Sequence, residues 1–217
     1  MDAEGTAVGG TVAEPITLST GETVSLPLST EATVYGAVVT ADRGAVADLL
    51  PPGLSPIRAT PRRAAVTFMA VEYHRIGDEI MPPYDEFNVM FPAVETGTRS
   101  WPVASLATAA SGYVWYLPVT HESAKALGVD FWGYPKEVAE IDHDDHVAGR
   151  RTSVTVDGQD VITLDVERPP AVARHQRGAS YTVANDTLLR EPLTLDGKLG
   201  AWPLSEQVAY TLGDHPR

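Results

Sequence analysis

Gly128-Val129-Asp130-Phe131-Trp132-Gly133-Tyr134-Pro135-Lys136-Glu137-Val138-Ala139-Glu140-Ile141 carries one of the three lysines in the chain, set between an aromatic-Gly-Tyr-Pro turn and a short alternating segment. A lysine at such a turn can do covalent chemistry as the free amine. It condenses with a ketone, and the iminium that forms withdraws electrons from the neighbouring carbon. The other lysines, Lys125 and Lys198, stand in polar or Gly-rich surroundings and read as surface residues. If the segment after Pro135 is extended, Lys136, Val138 and Glu140 share one side and Glu137 faces the other. Lysine is also common on strand edges, where it discourages edge pairing. The turn alone leaves both readings open.

Outward from this turn, residues 120–127 predict a short helix capped by Thr120 and closed by Gly128. A second helix is expected over residues 40–50, with Thr40 as N-cap, Asp42 in the first turn and Pro51-Pro52-Gly53 as the stop. Residues 65–73 alternate but are apolar on both faces, which predicts a strand covered on both sides. Residues 86–94 and 111–119 are further β-rich runs. Residues 152–156 and 161–166 flank Asp157-Gly158-Gln159-Asp160, a hairpin signal. Two helices among hairpin-connected strands predict an α+β fold with a curved, mostly antiparallel sheet or barrel. Residues 1–15 are small and polar and read as a flexible leader, leaving residues 16–217 as a single domain.

With 29 acidic against 16 basic residues, the net charge is -13. That argues against nucleic acid and anionic membrane as partners, since both attract positive charge. With no cysteine, the chain has no disulfide and no thiolate chemistry. No apolar run reaches the ~20 residues that cross a bilayer. The first 30 residues hold no Lys or Arg, so a signal peptide's basic start is missing and the cytoplasm is the expected compartment.

The Gly133-Tyr134-Pro135-Lys136 turn, following a helix rich in small residues, resembles the acetoacetate decarboxylase family. Pro82-Pro83-Tyr84-Asp85-Glu86 and the helical stretch before Pro51-Pro52-Gly53-Leu54 are similar too, and stand in the same order. The resemblance covers residues 33–165. It implies that Lys136 forms a Schiff base with a small oxo acid, needs no cofactor, and works with Glu86 as general acid or base. That family is itself a known example of a lysine activated by desolvation or a neighbouring cation, so this mechanism comes with the resemblance. The resemblance further implies a homo-oligomer. Tyr84, Trp115 and Tyr134 are candidate pocket walls, with core packing as the alternative for each.

The chain departs from the family pattern in several places, among them Gly128-Val129-Asp130 where the family has Gly-Arg-Glu. Glu137 stands where the family has a second lysine, so burial would have to free the amine unaided. No arginine precedes Arg43, leaving Arg58, Arg62, Arg63 and Arg75 as candidates to hold a substrate carboxylate. A second pocket glutamate would fall near Thr67, with Glu72 the nearest carboxylate. These departures favour aldol or dehydration chemistry over decarboxylation. Two other classes remain open: a metabolite-binding protein on the same fold, and a non-covalent acid-base isomerase or cyclase. Asp142-His143-Asp144-Asp145-His146 reads as a solvated turn between strands, not a metal site. His121 and His175 lack sequence partners for a nucleophile-base arrangement.

Overall fold

The computed structural model describes residues 15–78, 80–98, 111–201 and 207–216. The segment expected as a leader lies outside them apart from Pro15. A small hairpin, β1 (Ile16–Thr17) and β2 (Thr23–Val24), comes first. There follow β3 (Thr30–Asp42), α1 (Arg43–Leu49), β4 (Leu54–Pro56), β5 (Arg63–Ile76), β6 (Tyr84–Glu95) and β7 (Ser111–Val119). Next come α2 (Glu122–Trp132), β8 (Lys136–Val138), β9 (Glu140–Asp145) and β10 (Gly149–Val156). The chain closes with β11 (Gln159–Glu167), β12 (Val172–Ala184), β13 (Thr187–Leu199) and β14 (Val208–Leu212).

The fold is α+β, built on a curled and mostly antiparallel eight-stranded sheet. Its path runs β13-β12-β7-β6-β5-β3, with β4 on β6 and β8 on β7. A second sheet of four strands runs β14-β11-β10-β9. Phe68, Phe87, Val89 and Tyr116 of the large sheet meet Ile141, Val154, Ile162 and Leu164 of the small one in the main core. On the other face of the large sheet, α2 and the first hairpin cover a second cluster that includes Ile76, Tyr84, Val119, Ala124 and Leu127. The two-sided burial of β5 follows, since both faces of that strand are covered along most of its length. Its apolar residues pack on both sides, as such a run requires.

Local chemistry explains where the elements begin and end. Asp157 and Gly158 both take positive φ, 50° and 75°, and join β10 to β11 in the two-residue turn that twisted hairpins favour. Helix α1 is capped by Asp42, whose side chain accepts from the Ala45 N–H at 3.0 Å. Thr40, expected as that cap, is instead paired with Ala65 inside β3. The helix expected to stop at Gly128 runs a further turn to Trp132 and closes on Gly133, at φ 63°. His121 caps its start, with Nδ1 accepting from the Ser123 N–H.

Asp142 to Asp145, expected in a solvated turn, form β9 and pair with β10, so Glu140 belongs to the small sheet and does not continue β8. The strand survives its charges because Asp145 and His143 have partners, while Asp142 and Asp144 are exposed to solvent. Arg150 donates to both carboxylate oxygens of Asp145 and to Glu72 Oε2 at 2.6 Å, and lies over the Tyr35 ring. His143 hydrogen-bonds Thr152 through Nδ1 and stands 3.4 Å from Asp85 through Nε2. These hydrogen bonds from Arg150 hold the Glu72 and Asp145 carboxyls below their usual range.

Depressed carboxyls stabilise the fold above their unfolded values near ~4, and that contribution is lost as the pH falls through the lowered values. Arg150→Met is therefore expected to cost about 2 kcal/mol at neutral pH, through its charged hydrogen bond to Glu72 and its packing on Tyr35, discounted for solvent screening. It should also flatten the loss of stability on acidification. Urea unfolding of both proteins from about pH 6 down to about pH 3 checks this; parallel acid slopes would remove the network from the account.

Candidate active site

The strand β8 is only three residues long, yet it places the lysine. It runs parallel to β7, with Lys136 beside Leu117 and Val138 beside Val119. The start of that same β7 edge is taken by β12, also parallel, so β8 fills the length β12 leaves. Across the sheet, β6 sets Glu86 opposite Val119 and beside Val71 of β5. Glu86, Tyr84 and Tyr73 thus share the face under α2, while Asp85 and Glu72, one residue out of phase, project to the opposite face.

On the α2 face the Lys136 ammonium donates to Glu86 Oε2 at 2.8 Å and to the Ala124 carbonyl at 3.2 Å. Side-chain exposure is 4% for Lys136 and 8% for Glu86, so the pair is out of water. The Tyr84 ring lies 5.6 Å from Nζ, within reach of a cation–π contact. Tyr73 lies tilted against Tyr84 with centroids 4.7 Å apart, and its hydroxyl is 3.5 Å from Glu86 Oε1. Burial, and then the Glu86 charge, raise the Tyr73 and Tyr84 phenols well above their ordinary value. Tyr134, whose hydroxyl meets Ser180 Oγ at 2.5 Å, is pushed by burial to about 12. All three phenols stay protonated at neutral pH and can donate.

Gly128 has a role that its sequence neighbours conceal. A Cβ there would come within 2.6 Å of Lys136 Cδ and 3.1 Å of Nζ. The glycine is the groove in α2 along which the lysine side chain reaches Glu86.

Of the residues singled out from sequence, Lys136, Glu86 and Tyr84 come together. Tyr134 flanks them, close enough for the Glu86 charge to act on its phenol. Trp115 has Phe91 and Tyr116 as its ring neighbours, at 5.5 and 6.3 Å, and packs against the main core. Glu137 is paired with Pro118, out of phase with Lys136, which turns its carboxylate from the amine. Among the candidate arginines, Arg63 donates to Thr40 and Arg75 to Glu31 and the Gly77 carbonyl, while Arg58 and Arg62 are exposed. Sequence reading missed Tyr73, Gly128 and Ser180. Tyr73 and Ser180 carry no local signal, since cross-strand register and the fold bring them in. Gly128 had one: Phe131-Trp132 ahead of a second glycine continues the helix past it.

A family model described as "Acetoacetate decarboxylase (ADC)" matches residues 14–195. The chain belongs to the acetoacetate decarboxylase family. Solved structures of this fold agree. One from structural studies of acetoacetate decarboxylase is 14% identical, with a TM-score of 0.60 over 87% of this chain and 76% of that one. The acetoacetate decarboxylase of Legionella pneumophila subsp. pneumophila str. Philadelphia 1 is 14% identical, with a TM-score of 0.57 over 86% and 73% of the two chains. The enduracididine biosynthesis enzyme MppR, complexed with the condensation product of pyruvate and imidazole 4-carboxaldehyde, is 16% identical, with a TM-score of 0.55 over 86% and 76%. At such identities the likeness is one of fold. No curated protein sequence matches the chain. Among the described residues no helix is long and apolar enough to cross a membrane.

Gly128→Ala is expected to keep the fold, because alanine is the better helix former by about 1 kcal/mol, while driving Lys136 off Glu86. A crystal structure of the variant would show Nζ displaced from Oε2. Nζ still at hydrogen-bond distance, with an unchanged thermal midpoint, would make the glycine incidental.

Proposed function

We propose that this acetoacetate decarboxylase family member is a lyase acting on a small oxo acid through a Schiff base, with Lys136 as nucleophile and Glu86 as the proton carrier. The observation that carries the reading is the buried 2.8 Å contact between Lys136 Nζ and Glu86 Oε2. A proton passing along that contact leaves a neutral amine beside a neutral acid. The amine adds to the substrate carbonyl, giving a carbinolamine. Glu86 then protonates the departing hydroxyl, so water leaves and a protonated Schiff base remains.

From the iminium, two routes reach an enamine. A 3-oxo acid loses carbon dioxide. A 2-oxo acid loses a proton from its neighbouring carbon to the Glu86 carboxylate, and the enamine carbon then adds to an aldehyde or expels a β-hydroxyl as water. Hydrolysis of the final imine frees the product and restores the amine. Tyr84 and Tyr134 wall the amine, with Tyr73 as hydrogen-bond support for Glu86. We leave Trp115 out of the site, because its ring partners lie in the core.

Two observations favour the aldol and dehydration branch. Arg63, Arg75 and Arg150 each have protein partners away from Lys136. The residue after the lysine is a carboxylate, Glu137, and supplies no second positive charge to oppose the ammonium.

Borohydride reduction of the wild-type protein with a panel of 2-oxo and 3-oxo acids, followed by peptide mapping, should place an adduct on Lys136. The panel member trapped tells the two branches apart. Lys136→Met should lower turnover by about 10⁴-fold or more, and Glu86→Gln by about 10²- to 10⁴-fold. Lys125→Met, on the exposed side of the same helix, should leave turnover alone. Turnover surviving in Lys136→Met, or tight oxo-acid binding that borohydride never traps, would sink the covalent mechanism.

A further inference from the structure

The strand β13 ends the path of the large sheet, and among the described residues nothing pairs with its outer edge. Beyond Thr194 it is exposed as far as Lys198, with Leu195 44% open to solvent. A long exposed edge of this kind invites another strand unless something prevents it. The two-residue turn at Asn185 and Asp186, both at positive φ, fixes which backbone groups are available. It makes Ala184 and Thr187 the first hydrogen-bonded pair with β12. Alternation along an antiparallel ladder then turns the backbone groups of Thr194, Asp196 and Lys198 outward. Pro192 falls on the same outward phase and has no N–H to give, which bars pairing along the earlier part of the strand.

We propose that this edge pairs with the same edge of a second copy of the chain, antiparallel and about a two-fold axis at Gly197. That register makes the strand self-complementary. Asp196 stands opposite the other copy's lysine at position 198 and the reverse holds, giving two ion pairs on one face. Leu195 stands opposite position 199 of the other copy, giving two leucine contacts on the other face. Opposite charges and apolar residues directly across an antiparallel pair each stabilise it. At the axis, Gly197 meets itself in a non-hydrogen-bonded pair, where the backbones come closest, and a Cβ there would meet nothing within 4 Å in the single chain. Lys198, which alone would discourage edge pairing, becomes the residue that selects this register. Asp196 accepts from His175 through Oδ1, which leaves Oδ2 for the ion pair.

The test uses the full chain, which has no cysteine of its own. Sedimentation should give a mass of at least twice 23.2 kDa. Lys198→Asp should halve that mass, as should Asp196→Lys. The double variant Asp196→Lys with Lys198→Asp should restore it, because the swap re-forms both ion pairs. Oxidised Gly197→Cys should run as a covalent dimer, since Cα atoms ~4.5 Å apart in such a pair fall within disulfide range. Thr194→Cys, which would face position 200 of the other copy, should stay a monomer on a denaturing gel. A wild-type monomer at all concentrations overturns the proposal. So does an oligomer that Lys198→Asp leaves intact and Gly197→Cys fails to cross-link.

Discussion

Taking a lysine and a glutamate out of water costs several kcal/mol for each ion, and their attraction offsets this only with good geometry and further hydrogen bonds. At Lys136 and Glu86 the fold supplies both. The ammonium has Glu86 and the Ala124 carbonyl, and the carboxylate has the ammonium and the Tyr73 hydroxyl. Each contact depends on a different element. Strand β6 must hold its register against β5 and β7, strand β8 must fill the free end of the β7 edge, and α2 must carry a glycine where the lysine crosses it. Loss of any one leaves a buried charge without its partner.

The large sheet keeps two charge systems apart by side-chain alternation alone. Asp85 and Glu86 are adjacent in sequence and project to opposite faces. On one face Glu86 meets a single cation under α2. On the other, Asp85 and Glu72 join His143, Arg150 and Asp145, where Arg150 bridges two carboxylates. Burial raises the Asp85 carboxyl, while Glu72 beside it is lowered by its hydrogen bond from Arg150. The second system fastens the small sheet to the large one.

Much of this was legible in the sequence. The apolar alternation of β5, the Asp157-Gly158 turn and the small residues of α2 announced an α+β fold, since each is a local preference of the backbone. Lys136 and Glu86 stood out through the resemblance to the acetoacetate decarboxylase family, which the order of the motifs carries. Boundaries failed where tertiary contacts overrode local signals. Gly128 looked like a helix stop, but the lysine crossing it explains the missing side chain. Asp142 to Asp145 looked like a solvated turn, and Arg150, eight residues after Asp142, turns them into a strand.

By itself the sequence determined several of the strands, the existence of two helices, and which lysine stands at a special turn. These properties depend on residues within a few positions of one another. Only the tertiary structure decided that Lys136 meets Glu86, fifty residues away, under the rings of Tyr84 and Tyr73. Strand register sets that meeting. Shifting a strand by one residue sends each of its side chains to the opposite face, and no short stretch of sequence specifies the register of three strands at once.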